Sequence, residues 1–243
     1  SGTTQITREG FDIELAKAPG ETPDHIVVWL AAQKTLFSGD NFYHAFPNLY
    51  AIRGTAYRDF DAWADTMDQL MAYAPEVLCP GHTQPVVGAD AIRMALTNYR
   101  DAIRYVVSET VKGMNAGLDP VTIAADMKLP ADLASKPYLQ EFYGHVGYAS
   151  RAYFAGTLGW FDGNPTSLGE LPSALEAKKI IALARGAAAV LKAAQDALVS
   201  GDLQWALELA DRLIAANDLS ADGAQVKIDA LRLIADDTVN APT

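Results

Sequence analysis

Two patterns of hydrophobic and polar positions divide the chain. From Phe11 to about Pro85, short strand patterns alternate with loops. FDIEL alternates apolar and polar residues, HIVVWLA is a buried run rich in β-branched side chains, and KTLFSGD reads as a short strand ending in a turn. A helix is predicted over 61–74, with Trp63, Met67, Leu70 and Met71 on one face, and EVLCPGH reads as a strand that delivers its last residues into a loop. Strand, helix and strand with chemistry at the strand ends predict an α/β arrangement, in which ligands gather at the sheet edge.

From Gly88 onward the pattern turns helical. GADAIRMALTNYRDAIRYVVSETVKGMNAG carries apolar residues at Ile92, Leu96, Ile103, Val106, Val107 and Met114. Asp119 is placed as an N-cap, with Pro120 at the first helical position. A loop-rich connector, GWFDGNPTSLGELP, covers 159–172, and three helices are predicted beyond it, over 174–199, 203–216 and 221–235. The short spacers SGD and NDLSAD make them antiparallel neighbours, resembling tetratricopeptide-type hairpins without enough copies for a true repeat. The fold class expected is therefore α/β followed by all-α. Broad Ala/Leu faces over 174–236 suit close helix packing and predict a homodimer.

Composition adds exclusions. The 243 residues suffice for one large or two medium domains, and the formal net charge of -11 argues against a nucleic-acid partner, which needs a basic face. A single cysteine, Cys79, excludes an intramolecular disulfide. No membrane span is expected, because the most apolar stretch, 180–199, is interrupted by Lys192, Gln195 and Asp196. The opening residues SGTTQITREG hold neither an initiator Met nor a signal-peptide core, so the chain is expected to begin after another segment.

Three loops concentrate the chemistry. PGETPDH precedes the buried strand, SGDNF follows the next strand, and PGHTQP follows a third. Each presents one metal-competent side chain: Glu21, Asp40 and His82. Singly, a Glu in a turn, an Asp after Gly and a His in a PGH loop are each more often solvated or structural residues. Together, at the ends of consecutive strands, two carboxylates and one imidazole suit zinc or a similar divalent cation.

The order PGxTPDHIVV, SGD, PGHTxP resembles the second half of the metallo-β-lactamase superfamily. There the position of Glu21 normally holds a His on the first metal, that of Asp40 the bridging carboxylate, and that of His82 a ligand of the second metal. Glu at the first position is a feature of the alkylsulfatase branch, whereas Asp40 departs from it, since alkylsulfatases tend to carry Glu there. NLYAIRGTAYRD resembles the alkylsulfatase segment whose Arg, here Arg53, holds the sulfate; a planar guanidinium fork binds two oxygens at once. YRDAIRYVVSETVKGMN, KPYLQEFYG, GWFDGNP and ALARGAAAVLKAAQDALVSGDLQWALELADRL resemble the helical dimerisation domain that follows the catalytic fold. The resemblance implies residues 1–90 as the C-terminal half of an αββα catalytic sandwich and 91–243 as the dimerisation domain. It implies two zinc ions per complete site, an alkyl sulfate substrate and, from family habit alone, a periplasmic or secreted setting.

The same resemblance exposes a gap. The remaining ligands of this superfamily come from an H-x-H-x-D-H motif, and the four His here, at 25, 44, 82 and 145, include no H-x-H. The expectation is a chain completed by a missing N-terminal half, from the same protein or another chain. A half-sandwich alone leaves an apolar sheet face and an unpaired edge open. His44 is a possible acid or sulfate donor, with packing the commoner role; His25 reads as structural and His145 as core or interface. Tyr143, Tyr148, Tyr153, Trp160 and Phe161 either line an alkyl pocket or form aromatic core. Two other functions stay open: a lactonase- or thioesterase-like hydrolase on the same fold, and an inactive assembly module.

Overall fold

A computed structural model describes residues 2–243. The chain forms two compact units, one running to Gly163 and taking in Asn240–Pro242, the other Asn164–Val239. The first is a mixed six-stranded sheet with helices, and the second is all helical.

The sheet has its strands in chain order: β1 (Thr3–Arg8), β2 (Phe11–Lys17), β3 (Ile26–Leu30), β4 (Thr35–Gly39), β5 (Val77–Pro80) and β6 (Val86–Val87). Every neighbouring pair is antiparallel except β4 and β5, which run parallel across helix α1 (Phe60–Ala72). This direction pattern fixes the site. β2, β4 and β5 all run the same way, so the segments leaving Lys17, Gly39 and Pro80 emerge at one edge. The strand β1 was not expected, because TTQITR has too few apolar positions to show an inward face; it forms as the hairpin partner of β2.

Strand alternation gives the two faces different fates. Ala16, Val27, Leu36 and Leu78 are buried in one core with Phe60, Trp63 and Met67 of α1 and with Ile92, Leu96, Tyr99 and Ile103 of helix α2 (Ala89–Asn115). On the other face Ile6, Phe11, Ile26 and Phe37 stay between 41% and 53% exposed. Helices α3 (Pro120–Asp126), α4 (Ala131–Ala134) and α5 (Val146–Leu158) complete the unit, and Ile123, Leu133 and Phe154 join the same core. The expected boundary at residue 90 falls inside this compact unit, where α2 shares the interior of the sheet. The Asp119 cap is as expected, its carboxylate accepting from the Val121 and Thr122 amides.

The second unit contains α6 (Ser173–Leu183), α7 (Ala187–Ser200), α8 (Leu203–Ala216) and α9 (Ser220–Asp237). The helix expected over 174–199 is therefore two helices. Arg185 at φ 67° and Gly186 at φ 124° leave the right-handed region and stop the first helix. Gly201 and Asn217 end α7 and α8 in the left-handed region, which reverses the chain into packed pairs α7–α8 and α8–α9. The interior is small: Ala177, Ala194, Ala206, Ala210 and Ala230 are fully buried around Leu213. No helix among the described residues is long and apolar enough to cross a membrane.

Candidate metal centre

The three loops at the common sheet edge are packed tightly enough to require glycine. A Cβ on Gly20 would lie 2.3 Å from Asn41 Oδ1, and one on Gly81 would lie 2.5 Å from Asp40 Oδ1. Gly39, at φ 54°, ends β4 against the His25 ring, where a Cβ would approach to 2.7 Å. The register slips between Phe37 and Gly39, and His25 Nε2 meets the freed Ser38 carbonyl at 2.9 Å, the structural role expected of it.

Buried polar groups then fix the loop that carries Glu21. Asn41 accepts from the Glu21 amide at 3.0 Å through Oδ1 and donates to the Ala18 carbonyl at 2.7 Å through Nδ2. Thr66 of α1 donates to the Pro19 carbonyl at 2.5 Å, and Trp63 Nε1 donates to the Asn41 carbonyl at 2.9 Å. Helix α1 thus both fills the core and positions the site.

Glu21 and Asp40 are neighbours here, and His82 Nδ1 lies 2.7 Å from Asp40 Oδ1. Burial pushes the Glu21 carboxyl above the usual carboxylate range; the Arg58 charge opposes this, and the nearby Asp40 adds to it. The hydrogen bond to Asp40, with its charge, lifts His82 above the usual imidazole range. Two adjacent carboxylates and an imidazole favour a divalent cation, which relieves the repulsion that desolvated like charges create. The donor chemistry therefore fits zinc as part of a ligand set. It is only part: among the described residues no group of three or more His, Cys, Asp or Glu could hold a metal ion alone.

A cavity of about 500 Å³ opens beside these groups, lined by Asp40, Tyr43, His44, His82, Phe142 and Tyr143 among others. Burial holds His44 below the usual imidazole range, and its amide donates to Thr83 Oγ1 at 3.2 Å. Arg53 is exposed, but its Nη2 donates to the Tyr143 hydroxyl at 3.2 Å, and that hydrogen bond lowers the Tyr143 pKa. Tyr143 therefore ties Arg53 to the cavity wall. The other aromatic residues disperse: Tyr153 packs on Phe60, Tyr148 stacks on His145, and Trp160 stays 74% exposed. His145, expected in the core or an interface, lies outside the core and caps α5, its Nδ1 accepting from the Gly147 and Tyr148 amides.

Two residues escaped the sequence reading. Asn41 adjoins Asp40 but looks like an ordinary turn residue. Arg58 precedes an acidic helix start and looks like a surface ion-pair former; it is buried, with Nη2 3.1 Å from Glu21 Oε1 and Nη1 donating to the Asn48 carbonyl. The Asp59 beside it serves as the N-cap of α1.

Comparison with known proteins places these features. The family model for alkyl sulfatase dimerisation matches residues 119–243, and that of the metallo-beta-lactamase superfamily matches residues 1–82. The chain is 40% identical over 205 residues to a linear primary-alkylsulfatase of Pseudomonas sp. (strain ATCC 19151), covering 84% of this chain and 39% of that protein. It is 34% identical over 240 residues to an (R)-specific secondary-alkylsulfatase of Pseudomonas sp., covering 97% and 36%. The solved structure of the stereoselective inverting sec-alkylsulfatase Pisa1 from Pseudomonas sp. superposes with a TM-score of 0.94 at 33% identity, over 99% of this chain and 39% of that one. The chain thus spans less than two fifths to about two fifths of the length of the curated relatives it matches.

Proposed function

The chain belongs to the alkyl sulfatase dimerisation family and carries part of a metallo-β-lactamase-superfamily fold, and from that premise we propose that it forms part of a zinc-dependent alkylsulfatase. Glu21, Asp40 and His82 would hold metal. Bound zinc would supply Lewis acidity toward water and the ester oxygens. Arg53 and Tyr143 bind and orient the sulfate, and the rings of Tyr43, Phe142 and Tyr143 accept the alkyl tail. His44, on the cavity wall beside Asp40 and His82, is a candidate acid or hydrogen-bond donor to the sulfate. The completing ligands would come from an H-x-H-x-D-H segment outside this chain, and the bare apolar face of the sheet supports a second layer packed on it. The helical unit would serve a homodimer, which light scattering at micromolar concentration would test.

The observation that carries this reading is the shared cavity: Asp40, His82 and the Arg53-bound Tyr143 all face it. The test is zinc content and hydrolysis of an alkyl sulfate by the full-length protein, with Glu21→Ala and His82→Ala. Each variant should bind zinc measurably more weakly and lose most activity. Undiminished metal and turnover in both would refute the assignment.

A further inference from the structure

We infer that Arg58 is the positioning residue of this site, holding Glu21 and the Asn48–Arg53 segment in one register so that metal ligand and sulfate-binding arginine are presented together. The inference rests on the metal reading of Glu21 given above.

The guanidinium is 9% exposed and spans two otherwise separate segments. Nη2 pairs with Glu21 Oε1 at 3.1 Å, and Nη1 donates to the Asn48 carbonyl. Its carbon sits 5.9 Å from the centre of the Trp63 ring, the same indole whose Nε1 holds Asn41. Asn41 in turn fixes the Glu21 amide, so the carboxylate is restrained through its backbone by Asn41 and through one oxygen by Arg58. Asp40 also acts on this carboxylate, beside Arg58.

Stability alone does not account for this arginine. A buried ion pair roughly breaks even against apolar packing, and Nε of Arg58 has no hydrogen-bond partner among the described residues, which adds a desolvation penalty. A fork that reaches a metal-competent carboxylate and the sulfate loop at once has a functional reason to remain. Carboxylates that bind metals are commonly oriented by such outer partners, whose loss weakens metal binding by about ten- to a hundredfold. Lysine keeps the charge but reaches only one of the two acceptors.

The test uses the full-length protein and zinc alone as the probe, competed against a chelator. Arg58→Lys should fold as the parent does by far-UV circular dichroism and should bind zinc about tenfold more weakly, and Arg58→Met more weakly still. The effect of Arg58→Lys should vanish in a Glu21→Ala background, because both changes remove one arrangement. Parent-like zinc affinity in Arg58→Lys, additive losses in the double variant, or collapse of the fold in Arg58→Lys would each overturn the inference. Unchanged zinc binding in Glu21→Ala would instead refute the metal reading beneath it.

Discussion

Around the sheet, the interior is built from large shapes: Trp63, Tyr99, Phe42, Phe46 and Phe60 are closed to solvent, and Asn41, Asn48 and Arg58 are buried among them. The helical unit reverses this composition. Its interior is mostly alanine with a few Leu, Val and Ile, and ion pairs such as Lys227–Asp211 and Lys192–Asp196 sit on the surface. The difference shows what a site demands. Small side chains suffice to bring helices into close contact. Presenting carboxylates at fixed positions requires buried polar groups, and those need large rings around them to exclude water.

Substitutions can sharpen that contrast. Trp63→Ala removes the largest buried side chain and the bond to the Asn41 carbonyl, and should destabilise the chain by about 3–5 kcal/mol in denaturant unfolding. Asn41→Ala should follow at about 1–3 kcal/mol, because it orphans the Glu21 amide and the Ala18 carbonyl. In the helical unit the informative change is the opposite one. Ala210→Leu forces bulk between α8 and its neighbours and should cost about 1–3 kcal/mol, whereas shrinking alanine there has little left to remove. If Ala210→Leu were neutral, the account of a close-packed alanine core would be wrong.

Smaller effects test the helix ends and the surface. The Thr122 hydroxyl and amide, with the Val121 amide, bond to the Asp119 carboxylate and hold its pKa below the usual aspartate range. Its stabilising contribution is therefore present above the unfolded aspartate value of about 3.9 and is lost as pH falls through the lower folded value. Asp119→Asn should keep a cap while flattening that part of the acid limb in a pH series of unfolding midpoints. Least of all, Lys192→Ala should change stability by no more than about 0.5 kcal/mol, since its pair with Asp196 is exposed on both sides.

What was legible follows the same division. Periodicity located α1, α2, α8 and α9, since amphipathic faces are written locally, whereas α4 and α5 were not singled out. Glu21, Asp40 and His82 were singled out because each follows or precedes a strand in a Pro/Gly loop, and strand direction brings those loops to one end of the sheet. The break at Arg185–Gly186 was hidden in a run of good helix formers, where only the left-handed backbone reveals it. Arg58 and Asn41 were invisible for a tertiary reason: their partners lie 37 and 20 residues away, and nothing near them in sequence distinguishes a buried hydrogen-bonding role from a turn. The Arg53–Tyr143 contact spans 90 residues and belongs to the same class.

The most direct measurement of the central claim is anomalous scattering at the zinc edge from crystals of the active full-length protein. The account predicts zinc at about 2.0–2.2 Å from oxygens of Glu21 and Asp40 and from a nitrogen of His82. Zinc bound elsewhere, with these three side chains uncoordinated in an enzyme that hydrolyses alkyl sulfates, would contradict it.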